Sequence, residues 1–243
     1  MLAGATHARR LRGVVGLCVT AVLTLAPTAS NAGDRPFIAT TSAAAEEDDD
    51  AVWSLETVFQ RAGPVRSIGL AAEYAFNPTD SVQLEFMHAR DREAGESERG
   101  FGLEYKHLFN HIARDGYGIG VVVAVDVSRP SGGGWQASEW NAVVPVTFDL
   151  GSPTSRLHLN LGLSKPRQAP RAWTGSVGFE HEVAKRTVLF AEAAHTGDGR
   201  LLHGGVRYWA QRERLAIDLS LQRLQSDGVR RQGFVFGLGW YDL

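Results

Sequence analysis

The sequence predicts an all-β fold, a transmembrane antiparallel up-and-down β-barrel of about twelve strands. Three observations predict it. From about Trp53 to Leu243, apolar and polar residues alternate in runs of roughly ten, each followed by a turn. After the N-terminal leader, no apolar run reaches the roughly 18 residues a membrane helix needs. A membrane protein without such a run must be a closed barrel, because lipid offers the backbone no hydrogen-bond partner. Finally, the chain opens with a secretory signal.

Residues 1–32 read as that signal peptide. Arg9, Arg10 and Arg12 form a basic start, Val14 to Leu25 a short apolar centre, and Ser30-Asn31-Ala32 a small-residue cleavage site before Gly33. Cys18, the single cysteine, lies inside it, so the mature chain is expected to have no disulfide or thiol chemistry. The full chain carries 25 basic and 27 acidic residues, a net charge of −2; without the three leader arginines it becomes −5. No basic stripe points to nucleic acid. Residues 33–51 form a low-complexity lead ending in Glu46-Glu47-Asp48-Asp49-Asp50. Such composition predicts a disordered periplasmic segment. The sharper alternative is an acidic tail that enters the lumen or binds cations.

The barrel occupies 52–243. Strands are predicted over about 52–61, 66–76, 81–90, 99–109, 117–128, 138–150, 155–164, 172–183, 187–196, 201–210, 215–224 and 232–243. The clearest is Leu157, Leu159, Leu161 and Leu163, interleaved with His158, Asn160, Gly162 and Ser164. Leu215, Ile217, Leu219 and Leu221 repeat the pattern. An even count puts both ends on one side. Tight connections such as Asn77-Pro78-Thr79-Asp80 and Gly151-Ser152-Pro153-Thr154 are assigned to the periplasmic side, where turn formers belong. The more polar connections around Asp91–Glu98, Arg129–Ala137 and Lys165–Arg171 are expected to be the longer, outward set.

Period two gives each strand two faces. Trp53, Leu55, Leu84, Phe101, Val123, Phe234 and Trp240 are placed outside, with Trp53, Tyr117, Trp140, Trp173, Tyr208 and Trp240 near strand ends as interfacial girdles. The lumen lining is assigned to Glu73, Glu85, Glu104, Lys106, Asp126, Glu180, Glu192, Arg207 and Asp218. Alternation alone does not say which face is inside, and a soluble secreted β-sandwich stays as the alternative.

Two roles suit this lining. One is a narrow channel for small solutes with a cation-leaning lumen, since acidic rings favour cations. The other is a closed structural or interaction barrel sealed by a salt-bridge network, since buried charges must be paired. No catalytic role is expected. There is no Gly-x-Ser-x-Gly motif, and Ser164 and His158 stand well apart along one face. His195 and His203 flank one connection but make a weak metal pair, and His107 and His111 have a metal spacing only on a helix. No cofactor motif occurs. The partners expected are outer-membrane lipid and lipopolysaccharide, and the barrel-assembly machinery during biogenesis, for a monomer in the cell outer membrane.

Val188-Leu-Phe-Ala-Glu192, Gly204-Gly-Val-Arg-Tyr-Trp209 and Arg214-Leu-Ala-Ile-Asp218 resemble small proteobacterial outer-membrane barrels of transporter-like type. They are similar to the phenol-degradation meta-pathway outer-membrane protein group. The final stretch, Gly233 to Leu243, resembles a barrel-assembly signal, with Leu243 where such signals end in Phe. The resemblance implies architecture and location, and carries over no cargo and no catalytic residue.

Overall fold

The computed structural model describes residues 36–44, 52–151, 155–197, 199–226 and 228–243. The expected signal peptide and the acidic run Glu46–Asp50 lie outside these residues. Turn chemistry, more than polarity, sets where the strands end. They are β1 Val52–Ala62, β2 Val65–Asn77, β3 Asp80–Asp91, β4 Glu96–Leu108, β5 Tyr117–Pro130, β6 Gln136–Asp149, β7 Ser155–Pro166, β8 Ala172–Ala184, β9 Thr187–His195, β10 Gly199–Gln211, β11 Leu215–Ser226 and β12 Val229–Trp240. One short helix, α1 (Ile112–Asp115), lies between β4 and β5. The strands form a single closed antiparallel barrel, each paired with its sequence neighbours and β1 paired with β12. Closure leaves no unpaired edge, which lipid demands. Both termini of the barrel meet at one end, called here the terminal end; in bacterial barrels this end is periplasmic.

Strand existence and order follow the expectation, but the loop asymmetry does not. Asp91, Glu96, Arg129, Pro130 and Lys165, expected in loops, continue their strands. A polar residue does not end a strand that projects into water; a turn former does. The connection between β1 and β2 is only Gly63-Pro64, with Gly63 at φ 59°. The longest connection, 109–116, is on the terminal end and carries α1, closed by Gly116 at φ 74°. At the Asn77 turn, the Asn77 side-chain oxygen accepts from the backbone N–H groups of Thr79 and Asp80. The last strand ends at Trp240, not Leu243. The Leu243 N–H returns to the Trp53 carbonyl, while the Tyr241 side chain turns into the barrel.

The two faces separate as expected for a barrel in lipid. Leu221 is 73% exposed, Leu84 62% and Leu161 61%, whereas His158 is 1% and Glu192 4% exposed. A soluble sandwich would reverse this. The expected girdle residues Trp53, Tyr117, Trp140, Trp173, Tyr208 and Trp240 are all exposed, and Arg171 lies over the Trp140 ring at 5.8 Å. The interior is less polar than the sequence suggested. Val58, Val122, Phe190, Ala194, Leu201 and Val235 are buried inside. On β5 and β9 they stand among outward apolar neighbours, so the unbroken runs Val121-Val122-Val123 and Leu189-Phe190-Ala191 hide which member points inward.

Candidate functional site

The lumen is occupied by the chain itself. Pro36 to Ala44 lies inside the barrel, almost wholly buried. This stretch of the expected periplasmic lead lies in the lumen instead; the acidic run, on which the alternative of a lumen-entering tail rested, lies outside the described residues. Backbone outside a ladder cannot bury its N–H and C=O groups without partners, and the barrel wall supplies them. The Glu192 carboxylate accepts from the Ile38 N–H at 2.9 Å and the Ala39 N–H at 2.8 Å. Asn160 accepts from the Thr41 N–H at 2.6 Å and donates its amide to the Thr41 carbonyl at 2.8 Å. The Thr147 hydroxyl accepts from the Ala43 N–H at 2.7 Å. The Ser176 hydroxyl donates to the Ala39 carbonyl at 3.3 Å.

Packing completes the seat. Phe37 meets His158 and Phe190 edge-on, with ring centroids 5.0 and 6.1 Å apart. Ile38 joins Val58, Ala194, Leu201 and Val235 across the barrel. Two wall positions have no side chain because the segment needs the space. A Cβ at Gly118 would stand 1.8 Å from the Ala43 carbonyl oxygen, and one at Gly178 3.0 Å from the Phe37 ring.

Strand register brings the wall residues into bonding pairs. Arg207 on β10 stands opposite Asp218 on β11. Its guanidinium bonds the carboxylate twice, at 2.8 and 3.0 Å, and donates to the Tyr241 hydroxyl at 3.1 Å, which in turn donates to Glu56 at 2.6 Å. The Trp209 and Tyr241 rings flank it. This cluster lies towards the terminal end. His203 stands opposite Glu192; its Nδ1 lies 3.1 Å from the carboxylate and its Nε2 2.7 Å from Ser220. Thr147 stands opposite His158, 3.0 Å from its Nδ1.

All nine predicted lining residues fall on the inner face. Glu192, Arg207 and Asp218 take part in the contacts just described. Glu180 lies 3.7 Å from both His158 and Arg156. Lys106 lies 3.7 Å from Glu73. Glu85 and Glu104 line β3 and β4, and Asp126 faces Gly102 across the β4–β5 ladder. The sequence missed the segment's own residues and Tyr241. Gly118 and Gly178 are where the segment approaches the wall, but inner-face glycines such as Gly102 and Gly162 look the same in the sequence. The other expected groupings come apart. His195 and His203 point to opposite faces, and His195 bonds the Gly199 carbonyl region. His107 pairs with Asp80 at 2.8 Å, while His111 precedes α1. Ser164 donates to Glu139 rather than to a histidine.

Beyond the segment, towards the outer end, a cavity of about 70 Å³ remains. Ile38, Ala39 and Thr41 bound it on one side, and Gln60, Asn141 and Gln222 are among the wall residues.

A family model, described as uncharacterised conserved protein UCP029691, matches residues 44–234. The chain belongs to this family. The match begins where the lumen segment ends. No curated protein matches. Among solved structures, a KdgM porin in complex with disordered oligogalacturonate superposes with a TM-score of 0.62 at 9% identity, over 77% of this chain and 98% of that one. A NanC porin gives 0.56 at 7% identity, over 77% and 98%. LpxR from Salmonella typhimurium gives 0.51 at 9% identity, over 77% and 99%. At these identities the likeness is one of fold, that of outer-membrane β-barrels. The expected link to the phenol-degradation group is not confirmed by these matches.

The arrangement binds peptide backbone. Glu192, Asn160, Thr147 and Ser176 form a row of acceptors and donors that hold a segment lacking a ladder of its own. Among the described residues no group of three metal-ligating side chains converges.

Proposed function

We propose that this barrel is a narrow channel for small solutes, held shut by its own N-terminal segment and cation-leaning when open. The burial of Pro36–Ala44 against Glu192, Asn160 and Thr147 carries the reading. The porin fold supports the channel class.

The energetics suit a gate. Ordering the segment costs about 1–2 kcal/mol per residue, roughly 9–18 kcal/mol for its length. Burying Phe37 and Ile38 returns about 1.5–3 kcal/mol each. The two bonds to the Glu192 carboxylate return about 1.5–3 kcal/mol each, and the three to Asn160 and Thr147 about 0.5–1.5 kcal/mol each. The sides agree to within a few kcal/mol, so the segment can be seated most of the time and still leave without the barrel unfolding. An emptied lumen exposes Glu73, Glu85, Glu104 and Asp126, and carboxylates outnumber cations on the inner face, which favours cations. The reading includes no catalytic step.

A second reading keeps the barrel permanently closed, with any role in its outer connections. The Arg207–Asp218–Tyr241–Glu56 cluster favours it, because a fully paired buried network has no reason to part. Planar-bilayer recording separates the two. The full chain should give rare, brief steps, and a variant lacking 36–44 should give frequent ones. Silence from the deletion variant, with folding confirmed by heat-modifiable gel migration, would establish the closed reading.

A further inference from the structure

The outside wall holds a feature that conduction does not use. On β11 the outward row reads Leu219, Leu221, Arg223, Gln225, and the first two are 55% and 73% exposed. Cross-strand register places Arg200 of β10 and Arg230 of β12 on either side of Gln225. One row nearer the membrane, Leu202 and Gln232 flank Arg223. Strands lie about 4.8 Å apart and two residues span about 7 Å. The three arginines therefore sit at the corners of a triangle roughly 10 Å on its long side, within reach of one another's heads. All three are exposed. No outward residue of β9 to β12 is acidic; Asp198 and Asp227, in the adjoining turns, lie outside the described residues.

Below the triangle the wall is dented. A groove of about 750 Å³ runs over β8–β12. Ala191, Ala193 and Gly204 form its floor, and Val177, Leu202 and Leu221 rise beside it. Arg223 and Gln232 line its outer lip. In a lipid-facing wall such a dent is filled by an acyl chain, and cations at its lip stand at headgroup level. Arginine forks match phosphate oxygens two at a time. With the barrel termini periplasmic, this lip faces the outer leaflet.

We propose that this face binds the phosphorylated, multiply acylated glycolipid of the outer leaflet, with a phosphate on Arg200, Arg223 and Arg230 and an acyl chain in the groove below. The site rests on the membrane placement of the barrel and is independent of whether the lumen conducts.

Native mass spectrometry of the detergent-solubilised full chain tests it, with purified lipid A and enzymatically dephosphorylated lipid A as probes. Wild type should retain lipid A and bind the dephosphorylated form at least tenfold more weakly. The triple variant Arg200→Gln/Arg223→Gln/Arg230→Gln should lose at least tenfold in lipid A binding. The double variant Arg90→Gln/Arg129→Gln, on β3 and β5 across the same rim, should bind as wild type. Should the first variant fail to fold, judged by heat-modifiable migration, Ala191→Leu/Ala193→Leu fills the groove without altering charge and should lower binding as far. Equal retention by the arginine or groove variant and wild type would overturn the site. So would equal binding of the two lipids, or an equal loss in the opposite-side variant.

Discussion

Along β6 to β9 the inner residues Thr147, Asn160, Ser176 and Glu192 bond the backbone of the lumen segment, and His158 packs against Phe37. Along β2 to β5 the inner residues are Glu73, Glu85, Glu104 and Asp126, with Lys106 beside Glu73. The two walls have the same strand geometry and the same period, yet one grips a peptide and the other is charged. The gripping wall uses short hydroxyl and amide side chains, which bond neutral backbone groups at little desolvation cost, and a single buried carboxylate aimed at two N–H groups. The acidic wall carries its carboxylates on the lumen side of β2 to β5. On the proposed reading, the gate and the selectivity surface lie on neighbouring arcs of one barrel, joined where β5 pairs with β6.

Changes that act on neither wall alone should have the largest effect. Arg207→Met leaves Asp218 buried without its guanidinium, and loss of one member of a buried pair costs about 3–5 kcal/mol. Urea unfolding of the refolded barrel should show a loss of that size, and Arg207→Met with Asp218→Leu should regain most of it. Unchanged stability in the single variant would mean the terminal-end cluster does not hold the barrel.

Next comes the gripping wall. Glu192→Ala removes two charge-assisted bonds, about 3 kcal/mol or more. Open probability in bilayers should rise about 100-fold, with no change in ion preference. A smaller rise, about tenfold, is expected for Gly118→Ala, whose methyl displaces Ala43 while the Glu192 end stays seated. If either variant gates as wild type does, the segment is not what closes the lumen.

The acidic wall should give the smallest effect and the opposite signature. Glu85→Gln with Glu104→Gln should shift the reversal potential in a salt gradient towards zero, lowering cation preference, and leave open probability as it was. A change in opening without a change in reversal potential would abolish the division between the walls.

The barrel itself was legible. Long strict alternation, as in Leu157–Ser164, has one reading once lipid is outside, and a pairing such as Arg207 with Asp218 needs only two strands in register. Sidedness and strand count also followed from the pattern. The loop lengths did not, because Asp91 and Arg129 are polar without being turn formers. The inner apolar residues Val122 and Phe190 were hidden inside unbroken apolar runs. The occupied lumen was the least legible feature. Pro36–Ala44 has no periodicity, and its low-complexity composition resembles that of a solvated tail. What orders it is a set of wall residues more than a hundred positions away, Asn160 and Glu192 among them. Composition describes a segment alone; burial depends on what surrounds it.

The central claim, that Pro36–Ala44 closes the lumen, is most directly tested by tying the segment in place. Thr41 and Asn160 exchange two hydrogen bonds, and the chain's single cysteine, Cys18, lies in the expected leader. In the variant Thr41→Cys/Asn160→Cys, with the new disulfide verified by mass spectrometry, single-channel recording should be silent when oxidised and should show steps after reduction. Steps of the same size and frequency in both states would contradict the account.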